Sequence, residues 1–265
     1  LDNALQIRMR ADVPFGAFLS GGVDSGTVVG LMSRHATAAV KTYCIGFDDD
    51  RFDESPHAEQ VSKMFHTEHQ CEIVNPNMMD LWPMATYHCD QPHGDVSFLP
   101  TYKVSKLAAN HVKMVLTGDG GDELFAGYDK YKTYFTPEVD AMPEEDFTRT
   151  YCNNISLFTD DSRCELMHSS MQHSLDFDVW SPVKKILERA SGFDRINQAL
   201  LVDMLLLLPG NNLVKPDRMG MAVSLEARTP FLDYRLVEIA FNIPGDLKLK
   251  NGVTKYILKK VSEPI

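Results

Sequence analysis

The sequence predicts an α/β fold: a doubly wound, mainly parallel sheet with flanking helices, followed by a largely helical C-terminal half. Two observations carry this. Short β-branched runs alternate with amphipathic helical patterns through the first half of the chain. Two of those runs then open into Gly-rich loops bearing carboxylates, at residues 20–25 and 117–122, and in open α/β sheets ligands gather at the carboxyl ends of strands.

The elements follow in order. The apolar run at residues 13–19 is the first strand, and residues 40–47 (VKTYCIGF) are the second. Residues 55–65 read as a helix, with Ser55 as cap and Pro56 at the first helical position. Residues 68–74 are the third strand. Residues 78–88 and 99–110 fit two helices around an irregular acidic segment at 90–95, and residues 113–116 (KMVL) form the fourth strand, ending at Thr117-Gly118. Beyond Lys132 the strand signals fade into helices punctuated by Pro and Asp. The stretch 140–178 is polar and acidic, and reads as a mobile helical cover. Residues 200–208 are apolar but broken by Asp203 and ended by Pro209-Gly210, too short for a membrane span of about 20 residues. They read as a buried helix.

Composition bounds the function. The 265 residues are 44% hydrophobic and 24% charged, as in an ordinary globular protein. A formal net charge of −11 argues against a general nucleic-acid binder, which needs clustered Lys and Arg to replace phosphate counterions. Five cysteines, at 44, 71, 89, 152 and 164, contain no C-x-x-C pair. Reduced thiols in the cytoplasm are the expectation, which makes the sequon at Asn154 accidental. No signal peptide or membrane span is expected, and a start without Met, close to the first strand, suggests an excised fragment.

Ser20-Gly21-Gly22-Val23-Asp24-Ser25 joins the first strand to a helix, aiming backbone N–H groups and a helix N-terminus at one point, where an anion such as pyrophosphate is stabilised. A kinase-type P-loop would place a lysine after the glycines, and none follows here. Asp24 and the hydroxyls of Ser20 and Ser25 stand in its place, so the hexapeptide resembles the pyrophosphate loop of ATP pyrophosphatases. Taken alone it also fits an ordinary Gly-rich turn. The second loop, Thr117-Gly118-Asp119-Gly120-Gly121-Asp122-Glu123, packs three carboxylates among glycines, which makes most sense around a cation such as Mg²⁺. The spacing of a calcium-binding EF-hand is absent.

A third block, VKPDRMGMAVSLEARTPFLD from Val214, and a fourth, GVTKYIL from Gly252, complete an ordered set. Together the four are similar to the synthetase domain of the glutamine-dependent asparagine synthetases, over nearly the whole chain. The resemblance implies the adenine nucleotide alpha hydrolase-like type of ATP pyrophosphatase fold, with residues 1–132 as nucleotide-binding core and 133–265 as a mainly helical part packed on it. It also implies ATP and Mg²⁺ as cofactors and an ATP-dependent amidation: the side-chain carboxylate of aspartate is adenylated with loss of pyrophosphate, and ammonia then attacks to give asparagine and AMP. Leu19, Ser20, Gly21, Gly22, Asp24, Ser25, Ile45, Thr117 and Gly118 match nucleotide-contacting positions. Asp24 and Asp122 match magnesium ligands, Asp119 an acidic residue tied to the adenylate, and Lys255 a lysine near the phosphates. Without the motif Lys255 would read as a solvated helix lysine.

Departures from the family pattern touch the acceptor. Asp119 stands where glutamate is common, Gln91 where relatives often show Glu, and Gly26 where a second serine is common. A relative acting on another acid, such as a β-lactam synthetase or a polysaccharide-cluster amidotransferase, and a silent scaffold stay open beside aspartate. Nothing in the sequence corresponds to the family's glutaminase domain, so free ammonia, or ammonia from such a domain elsewhere, is the expected nitrogen source. A homodimer is a further expectation. Arg218 and Arg228 are candidates for binding the substrate carboxylate through the guanidinium fork, with ion pairs to Glu226 or Asp233 as the alternative. His66, His69 and Cys71 suit ordinary surface or core roles better than a metal site. His88, Cys89 and His93, with Asp90 and Asp95, are expected to face the crevice.

Overall fold

The computed structural model describes residues 1–75, 77–171 and 177–265. Among these, strands β1 (Phe15–Phe18), β2 (Lys41–Phe47), β3 (Glu68–Val74), β4 (Met114–Leu116) and β5 (Glu226–Arg228) form one sheet in the order β3-β2-β1-β4-β5. Every pairing is parallel. The chain steps outward from β1 to β3, then crosses back to place β4 on the other side of β1. Strand order therefore reverses between β1 and β4, and a crevice opens at their carboxyl ends. Both Gly-rich loops leave the sheet there.

The parallel sheet is buried by helices, so its central strands are apolar throughout. Ala17 in β1 and all three residues of β4 are buried. One continuous core joins Ala17, Met114 and Leu116 to Val28, Val29 and Met32 of the helix Val23–His35, to Phe147 and Tyr151 of the helix Glu144–Ile155, and to Leu200. Part of the polar stretch expected to be a mobile cover is thus packed core. Its polar residues face outward while every third or fourth position is apolar. Residues 172–176 of that stretch lie outside the described residues.

Other expectations need correction. β1 starts at Phe15, since Pro14 has no N–H to donate to a ladder and Val13 is exposed. Ser55 is not the cap of its helix: Asp53 accepts hydrogen bonds from its backbone N–H (3.0 Å) and hydroxyl (3.0 Å), and the helix runs Ser55–Met64. β5, Glu-Ala-Arg, carries no apolar run; its place comes from the ladder with β4, in which Ala227 lies opposite Val115. The apolar stretch after residue 200 is not one buried helix. An α-helix, Arg195–Val202, passes into a π-helix, Asp203–Asn212, that continues through Pro209-Gly210 and closes with Leu213 N–H donating to Leu208 O (2.9 Å). Leu208 is buried while Leu205 is exposed. The π-helix leads into the helix Val214–Met221, whose first turn lies on the crevice.

Candidate active site

The loop after β1 is organised by its own hydroxyls. Ser25 Oγ accepts from Ser20 N–H (3.2 Å) and donates to Gly22 O (3.3 Å), while Ser20 Oγ accepts from Gly22 N–H (3.3 Å). Gly22 precedes the helix Val23–His35 with no side-chain cap, leaving that helix's first N–H groups for a ligand. Gly21 has φ +80°, and a Cβ there would lie 2.5 Å from the His57 backbone, so the turn is open only to glycine.

Across the crevice, Asp122 stands in the first turn of the short helix Gly121–Phe125 that follows β4. Lys255 joins the two loops. Its Nζ donates to Asp24 Oδ2 and lies 2.8 Å from Asp122 Oδ1. Lys255 itself sits at φ +52°, with its N–H donating to Phe125 O (3.1 Å), so the backbone aims the side chain inward. It is 11% exposed, which rules out the solvated-lysine alternative. Gly127 leaves room for this convergence: a Cβ there would fall 1.9 Å from Asp122 Oδ1 and 2.0 Å from Lys255 Cε.

Burial pushes the Asp24 carboxyl up to about 6, although Lys255 pulls the other way. Burial would lower the Lys255 ammonium, but the two carboxylates outweigh it and hold it above its ordinary range. Asp24 Oδ1 is buried and has no hydrogen-bond partner. Buried polar atoms are almost always paired, so an orphaned carboxylate oxygen facing the second acidic loop fits a hard cation. Among the described residues no three His, Cys, Asp or Glu side chains are placed to hold a metal by themselves. That suits Mg²⁺, which is commonly held by one or two carboxylates together with substrate phosphates.

Asp119 lies deeper. Thr117 Oγ1 donates to its Oδ2 (2.6 Å), and burial raises its carboxyl against that bond and the charge of Lys215. Two adjoining cavities meet at Phe18, Ser20 and Thr101. One, of about 350 Å³, is mainly apolar and includes Leu19, Tyr43, Ile45 and Phe47 in its lining. The other, of about 310 Å³, is lined by Asp24, Ser25, Gly118, Asp119, Asp122 and Lys215, among others. An apolar slot running into the Gly-rich β1 loop has the two environments that the ends of a nucleotide would need. A larger cavity of about 490 Å³ lies elsewhere, beside Asp194 and Asp246, but no phosphate loop faces it.

The candidate arginines are not in this crevice. Arg228 donates to the carbonyls of Arg8 (3.0 Å) and Arg10 (2.9 Å) and pairs with Glu226 (2.7 Å), pinning the N-terminal segment to β5. Arg218 pairs with Asp90 (2.9 Å) at the surface, an ion pair different from both expected ones. His69 bonds Thr42 (2.9 Å) within the sheet, and His93 packs against Phe98 with ring centres 4.0 Å apart. Sequence reasoning missed three residues. Lys215 lines the polar cavity and pairs with Asp95 (2.7 Å); Asn211 donates to the same carboxylate (3.1 Å); and Asn212, on the cavity wall, donates to the buried Glu123 (2.8 Å). Lys215 stood within the third block, but preference for the guanidinium fork passed it over.

The family model described as asparagine synthase matches residues 1–265. This chain belongs to the asparagine synthase family. It is 32% identical to asparagine synthetase [glutamine-hydrolyzing] 1 of Bacillus subtilis over 99% of the chain and 46% of that protein. It is also 29% identical to a putative asparagine synthetase of Mycobacterium bovis over 100% of the chain and 44% of that protein. A 25% identity to amidase chyE of Penicillium rubens covers 98% of the chain and 48% of that protein. The chain thus spans about half the length of the curated relatives it matches. The asparagine synthase family uses ATP, in keeping with the β1 loop. Among the described residues, no helix is long and apolar enough to cross a membrane.

Proposed function

We propose that this chain adenylates the side-chain carboxylate of aspartate and passes the acyl group to ammonia, giving asparagine, AMP and pyrophosphate. The observation that carries this reading is Lys255 bridging Asp24 and Asp122 at the mouth of the β1 loop, beside the half-buried Asp119. The loop N–H groups and Lys255 hold the β and γ phosphates, leaving the α phosphorus toward Asp119. The acceptor carboxylate oxygen attacks that phosphorus, and the bond to the β-phosphate oxygen breaks with its electrons on pyrophosphate. Ammonia then attacks the acyl carbon, expels AMP, and loses a proton to the surroundings. Asp24 and Asp122 would hold Mg²⁺, which supplies charge neutralisation for the departing pyrophosphate. Water must be kept from the adenylate, whose hydrolysis would waste it.

The test is exchange of labelled pyrophosphate into ATP across amino acids and other carboxylic acids, with Mg²⁺ and ammonia. Exchange that depends on aspartate is expected. Exchange with a different acid alone moves the assignment to that acid, a reading that Asp119, one methylene shorter than glutamate, and the similarity to amidase chyE keep in view. Absence of exchange with every acid leaves a scaffold. A cytoplasmic site of action is supported by the cysteines, none of which forms a disulfide.

A further inference from the structure

Cys44 of β2 and Cys71 of β3 lie directly opposite each other in the parallel ladder. In-register residues of neighbouring strands project from the same face of a sheet, and the strands lie about 4.8 Å apart, within the Cα separations that a disulfide accepts. Burial, and then the Cys71 thiol beside it, push the Cys44 thiol well above its ordinary range. Both thiols are free. β3 is an edge strand and Cys71 is exposed, whereas Cys44 is buried. A small oxidant arriving from solvent therefore meets Cys71 first.

His69 completes the group. It lies on the same face of β3 as Cys71, two residues earlier, with Nε2 3.5 Å from Cys44 Sγ. Its Nδ1 pairs with Thr42 Oγ1 (2.9 Å), which in turn pairs with Thr67 Oγ1 (2.8 Å), so the ring is fixed. Burial holds the imidazole below its ordinary range, and a neutral ring can take up a proton. Two thiols and an imidazole also suit a soft metal, yet among the described residues no three such groups are placed to hold one.

The pair reaches the nucleotide crevice as well. Cys44 lines the apolar slot with Tyr43 and Ile45, and the Tyr43 carbonyl accepts from Leu19 N–H (2.9 Å), immediately before the β1 loop. A covalent bond from Cys44 to β3 bears on the strand that walls the slot and on the start of that loop.

We propose that Cys44 and Cys71 form a dithiol site that peroxide closes to a disulfide, and that closure weakens nucleotide binding in the slot. The second part rests on the crevice taking ATP. Cys71 Sγ loses its proton to solvent and attacks a peroxide oxygen. The O–O bond breaks, and the departing hydroxide takes up a proton to leave as water, with Cys71 now a sulfenic acid. Cys44 Sγ then attacks the Cys71 sulfur while His69 Nε2 takes the Cys44 proton. The S–S bond forms, and the S–O bond breaks with its electrons on oxygen, which leaves as water with the proton from the imidazolium. Two thiols lose two electrons, and one peroxide is reduced to two waters.

The test treats the reduced chain with hydrogen peroxide, blocks the remaining thiols with iodoacetamide, and maps tryptic peptides by mass spectrometry. Cys44 and Cys71 fall in different peptides. A linked pair two hydrogens lighter than its parts, released by dithiothreitol, is expected to form before the exposed Cys164 is oxidised. Cys44→Ser should stop at a Cys71 sulfenic acid that dimedone traps. His69→Gln should reach the sulfenic acid at the wild-type rate and slow closure about tenfold or more. In equilibrium dialysis, peroxide should lower Mg-ATP affinity about 5- to 10-fold in the wild type and leave that of Cys71→Ser unchanged. The proposal is overturned if Cys164 is oxidised before any Cys44–Cys71 link appears, if closure is as fast without the imidazole, or if the linked protein binds Mg-ATP as the reduced protein does. A reduced chain that binds no Mg-ATP sinks the reading of the crevice, while the peptide map still decides the thiol site by itself.

Discussion

At the phosphate end of the crevice, the contacts come from backbone N–H groups, from glycines where atoms crowd, and from carboxylates at fixed steps beyond two adjacent strands. Around Lys215, by contrast, the paired groups of Lys215, Asp95 and Asn211 come from a helix, a loop and a π-helix, with Lys215 and Asp95 lying 120 residues apart in sequence. The first arrangement tolerates little change, because a Cβ at Gly21 or Gly127 collides with its surroundings. The second asks only for a cation in roughly the right place.

The strongest attack on the phosphate end is Asp122→Asn. It removes a carboxylate facing the cation and should lower exchange by roughly a thousandfold or more, with the circular dichroism spectrum unchanged. Retained exchange would take Asp122 out of the site. Gly127→Ala asks whether crowding alone matters, since the added methyl must displace Asp122 and Lys255. A loss of about 10- to 100-fold in kcat is expected, with Mg-ATP affinity falling alongside; full activity would show that the convergence can rearrange.

Two substitutions at side chains whose partners lie outside the crevice should change stability and leave every KM alone. Lys248 is wholly buried, donates to Asn197 Oδ1 (2.6 Å), and burial lowers its ammonium from 10.5 to about 8. For a lysine lowered on folding, the unfolded chain binds the extra proton between those values, so stability rises with pH through that window and is lost as pH falls through about 8. Relative to Lys248→Met, the wild type should gain on the order of 3 kcal/mol across it in urea unfolding. Parallel curves would mean that Lys248 stays charged. Arg228→Met removes the link between β5 and the N-terminal segment and should cost about 2 kcal/mol, with aspartate and Mg-ATP KM values unmoved. A raised aspartate KM would return Arg228 to the acceptor.

The same contrast explains what could be read from the residues alone. The sheet's four longer-patterned strands and both Gly-rich loops were legible because parallel packing demands apolar runs and anion binding demands small residues at short spacing. β5 was not: Glu226-Ala227-Arg228 is a strand only because β4 lies beside it. The π-helix was read as a break, since Pro209-Gly210 ends helices more often than it continues them. Arg218 and Arg228 attract by their side-chain chemistry and Lys215 does not, yet it is Lys215 that lines the crevice, because which wall a residue faces is decided by helices that meet only in three dimensions.

Lys255 lies 231 positions after Asp24, and its ammonium is the charge that reconciles Asp24 with Asp122. During synthesis from the N-terminus, the β1 and β4 loops leave the ribosome as an unbalanced pair of carboxylates. Closing so large a loop is among the slower events of folding. The carboxylate pair therefore reaches its balanced state only after the chain near residue 255 has packed against both loops.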